Sequence, residues 1–281
     1  MKSFKGKAIY NPTGKAAEYS KWACNFYVGC SNGCAYCYCK KGILSSRMGG
    51  ELPTLKKCFK DEAHALEIFE KELVINKEDL QQNGLFFSFT TDPLVEDTWE
   101  LTYRAVKLCI EYGIPVSILT KYTKYTRRFV HVSLGGIPYE KIVSIGFTLT
   151  GHDELESGAS SNQMRIDCMR ELHEAGFKTW ASIEPIVDLS DSLQMMYDSR
   201  YYCDLYKVGL ESGRTYDRQY LWQFINGVIN LENLQDIDKI SKGVTPVYKV
   251  YFKDSLLKAA GINREDLPEN CVDREYDIFK N

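Results

Sequence analysis

The chain has 281 residues, of which 44% are hydrophobic and 26% are charged, and its formal net charge is −3. This composition is typical of a globular protein with a sizeable core, and the small net charge argues neither for nor against a nucleic-acid partner. Because no apolar run is long enough to span a membrane and the N-terminus lacks the apolar segment of a secretory signal, we expect a cytoplasmic protein without membrane contact.

Short strand-like runs alternate with amphipathic helical runs along most of the chain. The predicted strands are Trp22–Gly29, Leu85–Thr90, Val116–Lys121, Ile142–Thr150, Lys178–Glu184 and Leu205–Leu210. The clearest predicted helices are Glu62–Val74, Trp99–Tyr112 and Ser161–Ala175. This alternation predicts an α/β fold with a parallel sheet. Six repeats favour a partial (β/α)6 barrel, and a doubly wound open sheet is the alternative.

Polar residues collect toward the carboxyl ends of several predicted strands. Because alternate residues of a strand point to opposite faces, Ser88 and Thr90 share a face, and so do Ser182 and Glu184. Thr148 occupies the corresponding place on its own strand. Parallel α/β folds place their sites at this end of the sheet. Polar strand ends that only approach solvent are the alternative for any single strand, but together they predict a polar pocket.

Five of the ten cysteines lie between Cys24 and Cys39. In a reducing compartment such a cluster indicates metal ligation rather than disulfide bonds. Cys30, Cys34 and Cys37 have the spacing CxxxCxxC directly after the first predicted strand. Three thiolates on a four-iron cluster leave one iron open for a small molecule. A zinc site that includes Cys39, a redox pair of Cys34 with Cys37, and buried thiols clustered by chance are the other interpretations.

The motif that contains Cys30, Cys34, Tyr36 and Cys37 resembles the signature of the radical S-adenosylmethionine (SAM) superfamily. The resemblance covers about residues 22–212 and extends to the branch that contains spore photoproduct lyase. The further similar segments are Phe26-Tyr-Val-Gly-Cys, Thr91-Asp92-Pro93, Pro115-Val-Ser-Ile-Leu-Thr-Lys and Ser182-Ile-Glu-Pro.

The resemblance implies a partial barrel of the radical SAM type over residues 22–235, after a lead-in of residues 1–21. A C-terminal extension, residues 236–281, would cover the barrel. It also implies an enzyme of lyase or transferase type with two cofactors, a 4Fe–4S cluster on the three motif cysteines and SAM on the open iron. Reductive cleavage of SAM would give a 5′-deoxyadenosyl radical that abstracts hydrogen from a bulky substrate, and a flavodoxin or ferredoxin would supply the electron.

The same resemblance implies a cofactor-binding set on the polar strand ends. Its members are Tyr36, Ser88, Thr90, Thr148, Ser182 and Glu184. Glu184 is the leading candidate because a buried carboxylate needs a partner. A ribose hydroxyl or the methionine ammonium would serve, and an ion pair with Lys121 or Lys207 is the alternative. Asp92, before Pro93, is interpreted as a turn former, and a catalytic role is the alternative.

Two features bear on the substrate. Lys124, Arg127 and Arg128 lie in a segment with aromatic residues, which is a pattern that can bind nucleic acid; an ordinary solvated surface is the commoner explanation. Phe89 stands where spore photoproduct lyase has its hydrogen-donating cysteine, so we expect a different substrate or radical outcome. A peptide or small-metabolite substrate is an alternative, as is a non-enzymatic metal-binding module.

Overall fold

The structure is a computed structural model that describes residues 3–130, 132–134, 136–231 and 247–280. The strands in these ranges are β1 (Ile9–Tyr10), β2 (Ala23–Cys24), β3 (Tyr27–Val28), β4 (Thr54–Leu55), β5 (Leu85–Phe87), β6 (Val116–Thr120), β7 (Ser133–Leu134), β8 (Ile137–Pro138), β9 (Val143–Thr148), β10 (Lys178–Ile186), β11 (Leu205–Leu210) and β12 (Lys249–Phe252). The α-helices are α1 (Ser45–Met48), α2 (Glu62–Ile75), α3 (Lys77–Asn83), α4 (Trp99–Glu111), α5 (Asn162–Glu174), α6 (Leu189–Ser199), α7 (Arg218–Ile229) and α8 (Asp254–Ala260).

Within the described residues, the main sheet has the strand order β1-β2-β5-β6-β9-β10-β11-β12. All neighbours from β2 to β12 are parallel, and β1 pairs antiparallel with β2 at one edge. The predicted mixed α/β fold with a mostly parallel sheet is thereby confirmed. The sheet also contains β12, which the sequence reading did not predict.

The helices form where the sequence supplies caps and an apolar face. The Asp61 side chain accepts a hydrogen bond from the His64 amide at the start of α2, and Ser161 accepts one from Met164 at the start of α5. On α4 the buried positions include Leu101, Ala105 and Cys109. This cysteine is a small core residue, as its place in the helical pattern predicted.

The first predicted strand, Trp22–Gly29, is divided by Asn25. The Asn25 side chain accepts a hydrogen bond from the Phe89 amide (2.8 Å) and donates one to the Tyr10 hydroxyl (2.7 Å), and residue 25 itself belongs to neither strand. As a result, β2 stays in the main sheet while β3 pairs with β4. This turn of the chain brings the cysteine motif over the end of the sheet.

A second apolar cluster fills the barrel interior below the polar strand ends. It contains Ala23, Phe86, Trp180, Leu205 and, from the C-terminal segment, Ile278. The predicted extension of residues 236–281 therefore contributes a strand, a helix and an interior side chain, although residues 232–246 lie outside the described residues. The predicted boundaries at residues 22 and 235 stay predictions, and both β1 and β12 lie beyond them.

Candidate active site

A cavity of about 480 Å³ lies at the carboxyl ends of the parallel strands. One wall is the cysteine loop, from which Cys30, Cys34 and Cys37 all line the cavity together with Cys39. The fold thus brings the three motif cysteines to the same space as the polar strand ends. No other cysteine of the described residues lines this cavity.

The cysteine loop is held by the segment that follows β9. The Ala35 amide donates to the Leu155 carbonyl (2.9 Å), and the Gly158 amide donates to the Asn32 carbonyl (3.0 Å). A Cβ atom on Gly158 would lie 2.0 Å from the Ser31 carbonyl oxygen, so only glycine permits this approach. The loop is therefore fixed by backbone contacts from a distant part of the sequence.

Asp92 joins the cysteine loop to the central strands. Its buried carboxylate accepts hydrogen bonds from the Asn32 side-chain amide (2.7 Å), the Thr120 hydroxyl (2.7 Å) and the Lys121 backbone amide (2.7 Å). It also accepts one from the Leu94 amide (3.0 Å), which is the predicted turn-forming contact. These bonds give Asp92 a structural role at the edge of the cavity.

The Tyr36 side chain is held by a buried ion pair. The Tyr36 hydroxyl donates to Glu156, whose carboxylate also pairs with Arg165, and both charged side chains are fully buried. Arg165 further donates to the carbonyls of Thr148 (2.5 Å) and Ser160 (2.8 Å). Tyr36 is thus oriented by a charged network that links the cysteine loop to β9.

The cysteine thiols have different electrostatic surroundings. Burial raises the pKa of Cys30 to about 11. A hydrogen bond from the Cys39 thiol lowers the pKa of Cys37 to about 6. Burial also raises the pKa of Cys34. The Lys121 ammonium lies 5.5 Å from the Tyr36 ring centre, and its charge opposes the rise in pKa at Cys30 and Cys34 and adds to the lowering at Cys37. Lys121 is therefore the cation that favours thiolates on this loop.

All six predicted cofactor-binding residues line the same cavity. Ser88 donates to the Thr91 carbonyl (2.6 Å) and Thr90 to the Tyr27 carbonyl (2.6 Å), so each hydroxyl has acceptor capacity left for a ligand. Ser182 lies 2.6 Å from the Tyr19 hydroxyl. Their part in cofactor binding stays a prediction.

Glu184 has a partner that the sequence reading did not anticipate. Lys253, not Lys121 or Lys207, forms its ion pair (2.6 Å), and the Tyr19 hydroxyl donates to the same carboxylate (2.7 Å). Lys207 instead donates to the Tyr19 carbonyl (2.7 Å). The signal that would have located Lys253 is the run of valine and aromatic residues in Val247–Phe252 directly before it, which is typical of a strand.

The basic segment after β6 has less free charge than its sequence suggests. Lys124 pairs with Glu96 (2.7 Å) and Arg127 pairs with Glu171 (2.7 Å). The Arg128 guanidinium lies 5.2 Å from the Trp99 ring centre. None of the three basic residues lines the cavity. Nucleic-acid binding through this segment stays a prediction, and these contacts weaken the case for it.

Phe89 lines the cavity, and its ring stacks on Phe86 with centroids 4.5 Å apart. Tyr122, Tyr125 and Cys58 carry groups that could donate a hydrogen atom in place of the missing cysteine, but none of the three lines the cavity. The oxygen and sulfur donors that do line it beside Phe89 include Tyr19, Tyr38 and Cys39.

The model of the Radical SAM superfamily matches residues 24–187, which is more than half of the chain. The chain belongs to the radical SAM superfamily. It is 25% identical over 232 residues to an uncharacterised protein of Methanocaldococcus jannaschii, and the match covers 78% of this chain and 81% of that protein.

Two further proteins resemble the chain over part of their length. The Radical SAM Nalpha-GlyT isomerase of Pseudomonas phage M6 is 26% identical over 161 residues, or 56% of this chain and 31% of that protein. The structure of Streptococcus suis SuiB bound to S-adenosylmethionine superposes with a TM-score of 0.52 at 13% identity, covering 83% of this chain and 50% of that one. The SuiB likeness shows the shared fold, and the closer relation to spore photoproduct lyase stays a prediction.

Radical SAM proteins use a 4Fe–4S cluster and SAM as cofactors. The donor groups of the cavity fit the cluster and SAM. Three thiols lie on one wall, and hydroxyl and carboxylate oxygens that can still accept hydrogen bonds lie at the strand ends. In the described residues no three ligand-type side chains converge on one point, as a single metal ion would require; a cubane cluster distributes its thiolates over separate irons. No helix of the described chain is long and apolar enough to cross a membrane.

Proposed function

We propose that this radical SAM enzyme holds its cluster on Cys30, Cys34 and Cys37 and binds SAM between this loop and the strand ends that carry Thr148, Ser182 and Glu184. The observation that carries the proposal is that all six residues line one cavity, although they come from three separate segments of the chain. When bound, the two cofactors supply reductive cleavage of SAM and hydrogen abstraction from the substrate.

The residues around the cofactors have roles that follow from their contacts. Asp92 and Asn32 hold the cysteine loop against the strand ends, since their side chains are joined at 2.7 Å. Phe89 gives the cavity an apolar wall and stacks on the buried Phe86, and apolar surface of this kind keeps water from a reactive radical. Glu184 offers a negative charge for the methionine ammonium or an acceptor for a ribose hydroxyl.

The lining residues near the mouth favour an anionic substrate. Lys15, Lys40 and Lys41 all line the cavity on this side, and Glu211 is the acid that accompanies them, paired with Lys41 at 3.1 Å. The surplus positive charge contrasts with the net charge of −3 for the whole chain. We propose a bulky anionic substrate, with nucleic acid as the first candidate and a peptide or small metabolite as the alternative, and a flavodoxin or ferredoxin as the electron donor.

The test is anaerobic reconstitution of the cluster, followed by reduction in the presence of SAM. We expect release of 5′-deoxyadenosine from the wild type and none from a variant in which all three motif cysteines are replaced by alanine. Added single-stranded nucleic acid should bind with an affinity that falls as salt rises. Reduced, cluster-loaded protein that leaves SAM intact would refute the enzymatic proposal, and absence of nucleic-acid binding at low salt would favour the peptide or metabolite.

A further inference from the structure

The two oxygens of the Glu184 carboxylate have unequal surroundings. Oε2 accepts from the Tyr19 hydroxyl (2.7 Å) and lies 2.6 Å from Lys253 Nζ. Both of these contacts from the described residues go to Oε2 and neither goes to Oε1, and Glu184 lines the cavity. A carboxylate oxygen has two lone pairs to offer. Oε1 is therefore the acceptor that the protein leaves for a ligand.

Gly209 keeps the space beside this oxygen open. A Cβ atom at residue 209 would lie 2.9 Å from Glu184 Oε1 and 2.8 Å from Lys253 Cδ. The backbone of Gly209 is not in the left-handed region, so its conformation does not require glycine. Glycine at residue 209 is therefore required by the limited room around it and not by its backbone conformation.

Tyr19 and Lys253 are themselves fixed before any ligand arrives. The Lys253 side chain is only 1% exposed, and its ammonium also lies 3.8 Å from Glu18 and 3.3 Å from the Lys15 carbonyl. Burial and the charge of Glu184 hold the pKa of Tyr19 well above its usual value, so the phenol keeps the proton that it donates. The Lys207 ammonium holds the Tyr19 carbonyl (2.7 Å).

We propose that Tyr19 and Lys253 are positioning residues that fix the Glu184 carboxylate through Oε2, so that Oε1 is presented to SAM in the cavity, and that Gly209 leaves the room in which the carboxylate and the lysine stem pack. The inference rests on the proposed function and extends it to residues outside the family match of residues 24–187. It gives the segments before and after that match a part in cofactor binding, because Tyr19 precedes β2 and Lys253 follows β12.

The test measures the Kd of SAM by isothermal titration calorimetry on cluster-reconstituted protein, with the thermal unfolding midpoint of each variant. Lys253→Met should raise the Kd about tenfold or more, as does loss of an interaction with a charged group. Tyr19→Phe and Gly209→Ala should raise it as well. In a Glu184→Gln background Lys253→Met should add less than about a twofold change, because the lysine acts only through the carboxylate.

Lys178→Met is the matched control, since it removes a lysine that pairs with Asp204 (3.5 Å) at the opposite end of β10. It should leave the Kd unchanged. Wild-type affinity in Lys253→Met, or losses that add fully in the double variant, would overturn the positioning role. Should Lys253→Met fail to fold, unchanged affinity in both Tyr19→Phe and Gly209→Ala would overturn it. Failure of the wild type itself to bind SAM would instead refute the proposed function.

Discussion

Glu156 and Arg165 form an ion pair that is fully buried beneath the cysteine loop. Glu156→Gln keeps the size of the side chain and an acceptor for the Tyr36 hydroxyl, but it leaves the Arg165 guanidinium without a counter-charge. Arg165 cannot move to solvent because it also binds the carbonyls of Thr148 and Ser160. The substitution therefore isolates the cost of an unpaired buried charge.

Removal of one partner of a buried ion pair typically costs about 3–5 kcal/mol of unfolding free energy. The lower end applies here, because two carbonyl acceptors of Arg165 remain in place. We expect Glu156→Gln to lower the unfolding free energy of the apoprotein by about 3 kcal/mol, measured by urea denaturation. Cluster content after reconstitution should also fall, since Glu156 orients Tyr36 and forms a backbone bridge with Cys34.

Glu154→Gln is the control for this experiment. Glu154 lies two residues earlier, is largely exposed and contacts His152 (2.8 Å), so its loss should change the unfolding free energy far less than Glu156→Gln does, as for other surface pairs. A Glu156→Gln protein as stable as the Glu154→Gln protein would refute the reasoning, because the buried guanidinium would then not need its counter-charge.

Two further predictions concern the cluster ligands and a buried lysine. Replacement of all three motif cysteines by alanine should abolish bound iron and sulfide after reconstitution, whereas Cys58→Ala, at an exposed position outside the cavity, should retain both; a four-iron cluster in the triple variant would contradict the ligand assignment. Burial and then the charge of Lys253 lower the pKa of Lys207 from 10.5 to about 7. Between these values the unfolded chain binds the extra proton, so the contribution of Lys207 to stability rises with pH and is lost as pH falls toward 7. Lys207→Met should reduce the slope of this part of the stability profile by about 1.4 kcal/mol per pH unit, and an unchanged slope in pH-dependent urea denaturation would count against the shift.

The local sequence determined the features that depend on neighbouring residues. The spacing of Cys30, Cys34 and Cys37 after a strand identified the superfamily, because the loop that carries three ligands is a short contiguous segment. Strand–helix alternation predicted the parallel sheet, since each element buries an apolar face of its own period. The shared face of Ser182 and Glu184 followed from the two-residue period of a strand, and both line the cavity.

The tertiary structure decided which side chains meet across long sequence separations. Lys253 pairs with Glu184, and Arg165 and Glu156 support Tyr36, because strand order and loop paths bring distant segments together. A local pattern reports which face of an element a residue occupies, but it does not report which partner lies opposite. The sequence therefore predicted a carboxylate at the cavity, whereas only the fold showed that Tyr19 and Lys253 both bind its Oε2 atom.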